Sequence, residues 1–225
     1  ELVENSIDAD SKQIVVEITD GGTKFMRVSD DGVGISKDQV ALAFERFATS
    51  KIIDWERFDS IGTLGFRGEA LPSIAAVADV EMMTKTKEDD FGVKFQIKKG
   101  VVENKKAVGL NIGTSIEVRN LFANLPARRK FLKGISAEAS RVFAVLNNYA
   151  LAYPLIKFRL ISNGKQVFAT NGSGDLREVV LTLLGLKVAE SMLEIQEVVN
   201  IDGVKVTGLI GSAETHRKTR KNMYI

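Results

Sequence analysis

The 225-residue chain contains no cysteine and a single histidine, His216. The first absence excludes disulfides, thiolate metal sites and cysteine nucleophiles together. One histidine argues against histidine-based zinc sites and Ser-His triads. His216 itself stands among Arg217, Lys218 and Arg220, where a surface position is expected. Missing too is any apolar run near the ~20 residues needed to cross a bilayer, so no membrane anchor is read. No signal peptide is read either; the expected location is cytoplasmic, or nuclear for a eukaryotic source, and the abrupt ends read as those of a fragment. Nor does one charge dominate: 31 Lys and Arg stand against 29 Asp and Glu, a formal net charge of +2. Any affinity for nucleic acid must therefore come from a local patch.

What is present suits an ordinary globular protein, 44% hydrophobic and 27% charged, long enough for one large domain or two modest ones. Residues 1–9 read as a helix, with Val3 and Ile7, beside Leu2, Ser6 and Ala9, on one inner stripe. Glu1 and Asn5 then project from a single face, one turn apart. "QIVVEIT" and "KFMRVSD" around Asp20, Gly21 and Gly22 predict a hairpin. In "DDGVGISKDQV" a glycine loop precedes Ser36 and Gln39, whose capping-box spacing predicts a helix through about Ala48. From Thr49 to Gly68 periodicity is lost and Gly62, Gly65 and Gly68 collect, which predicts a long loop of functional kind.

"EALPSIAAVA" predicts a short helix with Pro72 in its first turn, and "DVEMMTKT", "GVKFQIKKG" and "GTSIEVRNL" predict strands. Ser136 is placed to cap a helix ended by Pro154. "IKFRLISNGKQVFAT" carries an Asn-Gly hairpin turn, "GDLREVVLTLLG" a helix with Asp175 and Glu178 in capping-box spacing and Gly185 as stop, and "LEIQEVVNIDGVKVTGLIG" a further hairpin. The expected class is α+β, helices on one face of a mixed, mainly antiparallel sheet, with a boundary near residue 130. No internal repeat or low-complexity tract is found.

Three glycine-containing stretches stand out: "DDGVGI" at 30–35, "GTLGFRGEAL" at 62–71 and "IGTSIEV" at 112–118. Glycine lets backbone approach a ligand and present N–H groups to phosphate oxygens, above all before a helix N-terminus. None has the P-loop or G-x-G-x-x-G spacing. Singly, D-x-G-x-G reads equally as a tight turn, and the E-x-x-x-N pair as an exposed polar face.

Their order changes the reading. A helix with E-x-x-x-N, then D-x-G-x-G after a hairpin, then a glycine-rich loop ending in G-F-R-G-E-A, then G-T opening a strand resembles the ATP-binding (GHKL-type) domain. That domain is shared by DNA gyrase B subunits, ninety-kilodalton heat-shock chaperones, sensor histidine kinases and MutL mismatch repair proteins. "ELVENSIDA", "RFATSKI", "LGFRGEALPSIAAV" and "NLFANLPARRKFL" resemble the MutL family in particular. The resemblance is specific from Glu1 to about Leu132 and more diffuse to Ile225. It implies an ATP-binding α/β sandwich at 1–130, then at 131–225 an α/β domain like the second domain of ribosomal protein S5.

On matching positions the resemblance implies the following roles. Glu1 is the general base that activates water for attack on the γ-phosphate, and Asn5 supplies an oxygen to Mg²⁺. Asp30 accepts a hydrogen bond from the adenine amino group, Gly34 lets backbone pass the base, and Thr114 helps hold adenine. Asp31 stands where asparagine is commoner. Gly65, Phe66, Arg67, Gly68 and Glu69 form the lid over the triphosphate, although Arg67 is read slightly better as pairing with Glu69. Thr49, Ser50 and Lys51 lie near the phosphates, with Phe47 replacing the histidine usual before them.

The resemblance further implies a weak Mg²⁺-dependent ATPase whose ATP-bound state closes a lid and forms a homodimer. That switch would govern contacts with DNA, a MutS-type mismatch-recognition protein and downstream nuclease or helicase. The family's strap before Glu1 and its phosphate-sensing lysine lie outside these 225 residues, so turnover by the fragment is expected to be slow or absent. A nucleotide-gated binding module without turnover is the alternative, as is a gyrase-like or chaperone-like ATPase. For DNA phosphates the candidates are Arg217, Lys218, Arg220 and Lys221. The junction cluster of Arg128, Arg129, Lys130 and Lys133 is read rather as a solvated charge run.

Overall fold

Alternating burial along the strands sets the architecture. In β1 (Gln13–Thr19) Ile14, Val16 and Ile18 point inward. In β3 (Asp79–Lys85) Val80, Met82 and Thr84 do so, and in β4 (Gly92–Lys98) Val93, Phe95 and Ile97. The computed structural model describes residues 1–44, 64, 69–98, 101–199 and 205–215. Within them β2 (Phe25–Asp30), β5 (Val101–Val108), β6 (Gly113–Arg119), β7 (Lys157–Ser162) and β8 (Lys165–Ala169) complete an eight-stranded sheet. Its order is β5-β4-β3-β6-β2-β1-β7-β8, antiparallel throughout except for the parallel β1–β7 pair.

One face of the sheet is covered by α1 (Leu2–Asp8), α3 (Ala70–Ala75), α5 (Ile135–Ala152) and α6 (Leu176–Leu184). Leu2 and Val3, Leu71 and Ala75, Leu146 and Ala150, and Val179 from these helices join the inward strand residues in one core. Phe143 of α5 meets Phe168 of β8 edge to face, with ring centroids 5.7 Å apart. The other face is polar. Arg27 pairs with Glu17 and, at 3.4 Å, with Glu117; Arg119 pairs with Glu117 at 2.7 Å and Lys94 with Glu81 at 2.6 Å. Opposite charges on neighbouring strands suit a sheet face that carries no helical layer among the described residues. No helix among the described residues is long and apolar enough to cross a membrane.

Both glycine-turn hairpins form where predicted. Asn163 and Gly164 take φ of 50° and 75°, the left-handed pair of a two-residue hairpin turn, and Asn163 Oδ1 accepts from the Asp20 N–H of the neighbouring turn at 3.1 Å. β9 (Met192–Val199) and β10 (Lys205–Gly211) make a separate two-stranded sheet after the short α7 (Leu186–Glu190).

Four expectations are corrected. The sheet does not end near residue 130: β7 and β8 lie beyond that division yet pair onto β1, which would otherwise be an exposed edge. The charged junction is a crossover, with α4 (Pro126–Arg129) and α5 carrying the chain from β6 past β2 and β1 to β7 on the far side of β1, which a tight turn cannot do. The helix expected from Ser36 is, in its described part, only α2 (Val40–Ala43). The Ser36 carbonyl accepts from Gln39 N at 2.9 Å and Val40 N at 3.2 Å in a preceding turn, with no side-chain cap, and residues 45–48 lie outside the described ones. α5 starts at Ile135 with Gly134 as its N-cap, before Ser136. Finally β5 is a strand that "VVENKKAV" did not announce, because an edge strand exposed along both faces loses the apolar alternation.

Candidate functional site

An apolar inner face has one polar row at its end. Across the pairing register Asp30 of β2 sits opposite Thr114 of β6, and Thr114 opposite Thr84 of β3, all three on the side that elsewhere carries Val28, Ile116 and Met82. Polar groups at such depth need partners, and here they find them within the row and in the residues around it.

Asp30 is held by three donors. Ser6 Oγ of α1 donates to Oδ2 at 2.8 Å, while the Gly32 and Thr114 N–H groups donate to Oδ1 at 3.0 and 3.2 Å. A carboxylate has about four lone-pair sites, so acceptor capacity remains on Oδ2 beside the Ser6 bond. Burial pushes the Asp30 carboxyl above its ordinary value, against the lowering pull of these three hydrogen bonds; the neighbouring Asp31 charge adds to the rise. Asp31 has a different task, its Oδ1 accepting from Lys12 N at 2.8 Å and Gln13 N at 2.7 Å, which anchors the start of β1.

Residues 31–35 are clamped between α1 and β3. Val33 N donates to Ala9 O at 3.0 Å and Ile35 N to Thr84 Oγ1 at 2.8 Å. Gly34 has φ of 76°, and a Cβ there would lie 2.1 Å from the Lys85 carbonyl oxygen. The close approach that this glycine permits is thus to β3. Gly113 is as tightly hemmed in, with φ of 129° and a Cβ that would lie 2.1 Å from the Asp30 carbonyl oxygen. Gly113→Ala is expected to cost more than ~1 kcal/mol of stability, measured by denaturant unfolding, since strain and clash act together. An unchanged midpoint would contradict the geometry.

Glu1 is exposed at the N-cap of α1, and Asn5, half-buried, stands one turn on, its N–H donating to the Glu1 carbonyl at 2.9 Å. The helix is tied down by Glu4, which accepts from the Tyr149 hydroxyl of α5. Burial, then that bond, then the Glu4 and Glu1 charges hold the Tyr149 phenol well above its usual range. Asp8, at the end of α1, accepts from Leu64 N at 2.9 Å. Glu69 is the N-cap of α3 and makes no side-chain cap bond.

The structure therefore brings Asp30, Gly34 and Thr114 together, with Glu1 and Asn5 on the adjoining helix. Thr49, Ser50, Lys51, Gly65, Phe66, Arg67, Gly68, Arg217, Lys218, Arg220 and Lys221 lie outside the described residues. Arg128 and Arg129 close α4, exposed, and are followed by Phe131 at 86% exposure. Ser6 and Thr84 are site residues that sequence reading missed. Each is polar at an inward position of an apolar pattern, and that was the available signal. Among the described residues no three His, Asp or Glu side chains gather as a metal site. Asn5, half-buried on α1, carries an amide oxygen, the hard kind of ligand that Mg²⁺ takes beside the waters it keeps.

Residues 1–125 match the family of histidine kinase-, DNA gyrase B- and HSP90-like ATPases. Over all 225 residues the chain is 47% identical to the DNA mismatch repair protein MutL of Clostridium acetobutylicum, covering 36% of that protein. It is 42% identical to that of Lactococcus lactis subsp. lactis, covering 34%. It thus spans about a third of the curated relatives it matches. Among solved structures, the Aquifex aeolicus MutL ATPase domain complexed with ADP is similar at 31% identity and a TM-score of 0.69, over 86% of this chain and 69% of that one. The N-terminal domain of a DNA repair protein is similar at 26% identity and a TM-score of 0.81, over 98% of this chain and 68% of that one.

Proposed function

Since the chain belongs to the MutL family, within the histidine kinase-, gyrase B- and HSP90-like ATPases, we propose that it binds and slowly hydrolyses ATP as the nucleotide switch of DNA mismatch repair. The observation that carries this reading is Asp30, a carboxylate sunk in an apolar face, fixed by three donors and able to accept one more. An adenine amino group is such a donor, whereas guanine presents a carbonyl oxygen at the equivalent position.

In this reading Glu1 takes a proton from the water that attacks the γ-phosphorus as the bond to the β-phosphate oxygen breaks and ADP leaves. Asn5 presents its side-chain oxygen to the ion that accompanies the triphosphate. When bound, Mg²⁺ supplies neutralisation of the β- and γ-phosphate charge. Glu1 and Asn5 share one helix, so a single rigid element sets both positions. The lid residues 65–69 and the 49–51 stretch are assigned to the phosphates. Lid closure and homodimerisation then switch contacts with DNA, a MutS-type protein and a downstream nuclease or helicase in the cytoplasm. A domain like the second domain of ribosomal protein S5 would begin with the β9–β10 hairpin rather than at residue 131.

Equilibrium binding of ATP and GTP, with phosphate release measured in parallel, tests the reading. ATP bound in preference to GTP supports it, and absence of ATP binding overturns it. Removal of Mg²⁺ with EDTA is expected to stop hydrolysis, and Asn5→Ala to weaken it in the same sense, by about 10- to 100-fold in kcat. Hydrolysis indifferent to EDTA would contradict the role given to Asn5.

A further inference from the structure

Thr84 is fully buried, 0% exposed, and carries the only hydroxyl in "DVEMMTK". Its Oγ1 lies 2.8 Å from the Ile35 N–H that it accepts, 3.2 Å from the Gly113 carbonyl and 3.2 Å from Thr114 Oγ1. It therefore joins the glycine loop, the first residue of β6 and the second hydroxyl of the polar row. We propose that Thr84 is a positioning residue of the adenine site, which docks the 31–35 loop and decides whether the Thr114 hydroxyl donates or accepts. The proposal rests on the ATP reading above.

Proton accounting carries the second half. One lone pair of Thr84 Oγ1 is filled by Ile35 N–H, and the hydroxyl has one proton to give. If that proton goes to Thr114 Oγ1, the Thr114 hydroxyl is free to donate toward a ligand. If it goes to the Gly113 carbonyl, Thr114 donates back to Thr84 and offers only an acceptor outward. Adenine places an acceptor nitrogen, N1, beside the amino group assigned to Asp30; the first arrangement supplies its donor, directly or through a water. Guanine places an N–H there. Thr84 thus matches Thr114 to the purine edge, and Asp30 and Thr114 are held to it by the same register of β2, β6 and β3.

The first half follows from where the groups sit. Without the Thr84 hydroxyl, the Ile35 N–H has no acceptor at this point and the loop bearing Gly34 loses its bond to β3. Glu1 and Asn5 are on α1, outside this bond set, so the chemical step at saturating ATP should be spared.

Thr84→Val keeps the shape and removes the hydroxyl; Thr84→Ser keeps the hydroxyl. In Thr84→Val the KM and Kd for ATP are expected to rise about tenfold or more, kcat to stay within about twofold and the preference for ATP over GTP to narrow. Thr84→Ser is expected to restore affinity and preference. Should Thr84→Val not fold, Thr84→Ala, which cannot overpack the site, gives the same reading. A purely structural role would lower the melting temperature without moving the ATP-to-GTP ratio. Wild type that binds ATP beside a hydroxyl-free variant of unchanged affinity and preference overturns this assignment alone, as does a Thr84→Ser variant as weak as Thr84→Val. Wild type that binds no ATP overturns the ATP reading and this assignment with it.

Discussion

Glu1→Gln is expected to cut the ATP hydrolysis rate by about 10²- to 10⁴-fold, the usual worth of a general base, while leaving ATP affinity nearly unchanged. The argument is one of placement. Glu1 is exposed at the N-cap of α1, a turn from Asn5, while Asp30 and Thr114, the proposed adenine contacts, lie at the strand ends. Removing the carboxylate thus takes away an acceptor for the water proton and nothing that holds the base. Glutamine preserves length, and α1 stays tethered through Glu4 to Tyr149 and Ser6 to Asp30. Single-turnover hydrolysis and equilibrium binding separate the two effects. A variant with full hydrolysis and normal binding would end the assignment of Glu1 as base. A wild type that binds ATP and shows no turnover would favour the nucleotide-gated binding module.

For Asp30→Asn the expected result is a loss of ATP affinity of about 10²-fold or more, the penalty when a site built for one hydrogen bond meets a mismatched group, with no loss of stability at neutral pH. The carboxamide oxygen can still accept from the Gly32 and Thr114 N–H groups, and its NH2 can turn to Ser6 Oγ. What it cannot do is accept the adenine amino group at the position of Oδ2.

Stability runs the other way because Asp30 has its pKa raised by burial. Folding favours its protonated form, so that contribution is fully present below the unfolded value of 3.8 and is lost as pH rises through the folded value. At neutral pH the ionised group is a cost, and the neutral asparagine removes it. Equal or higher melting temperature beside lost binding is the expected pair of results. For wild type, acid should weaken ATP binding as Asp30 takes up its proton, and because burial raises the Asp30 carboxyl that loss is expected at a higher pH than for a solvent-exposed aspartate. A wild-type-like affinity in Asp30→Asn would refute the adenine assignment.

Local patterns were legible without coordinates. Alternation in "QIVVEIT" and in "GVKFQIK", the described part of "GVKFQIKKG", the Asn163-Gly164 turn, Asp175 as an N-cap accepting from Arg177 N at 2.7 Å and Gly185 as a stop at φ 88° all form as the patterns predict. These depend on a few neighbouring residues, and short-range propensity suffices. Only the Asp175 half of the Asp175–Glu178 capping box forms: Glu178 instead accepts from Ser173 Oγ and Asn171 Nδ2, both at 2.6 Å, because a preceding loop outcompetes the cap. Ser36 is likewise not the helix start: its carbonyl accepts from Gln39 N and Val40 N in a turn, and Gln39 is the N-cap of α2.

From one dimension come the identity of the chemistry-bearing residues, the spacing of Glu1 and Asn5 on α1, and the order of the glycine stretches. Those are matters of composition and of neighbours a turn apart. The row of Asp30, Thr114 and Thr84 is another matter, since 84 and 30 residues separate its members and only strand register sets them side by side. So is the parallel seating of β7 on β1 across the charged junction. Register and sheet order are chosen by the burial of whole faces at once, so a threonine at the end of "DVEMMT" reads as any strand residue until β6 brings the glycine loop and a carboxylate to it.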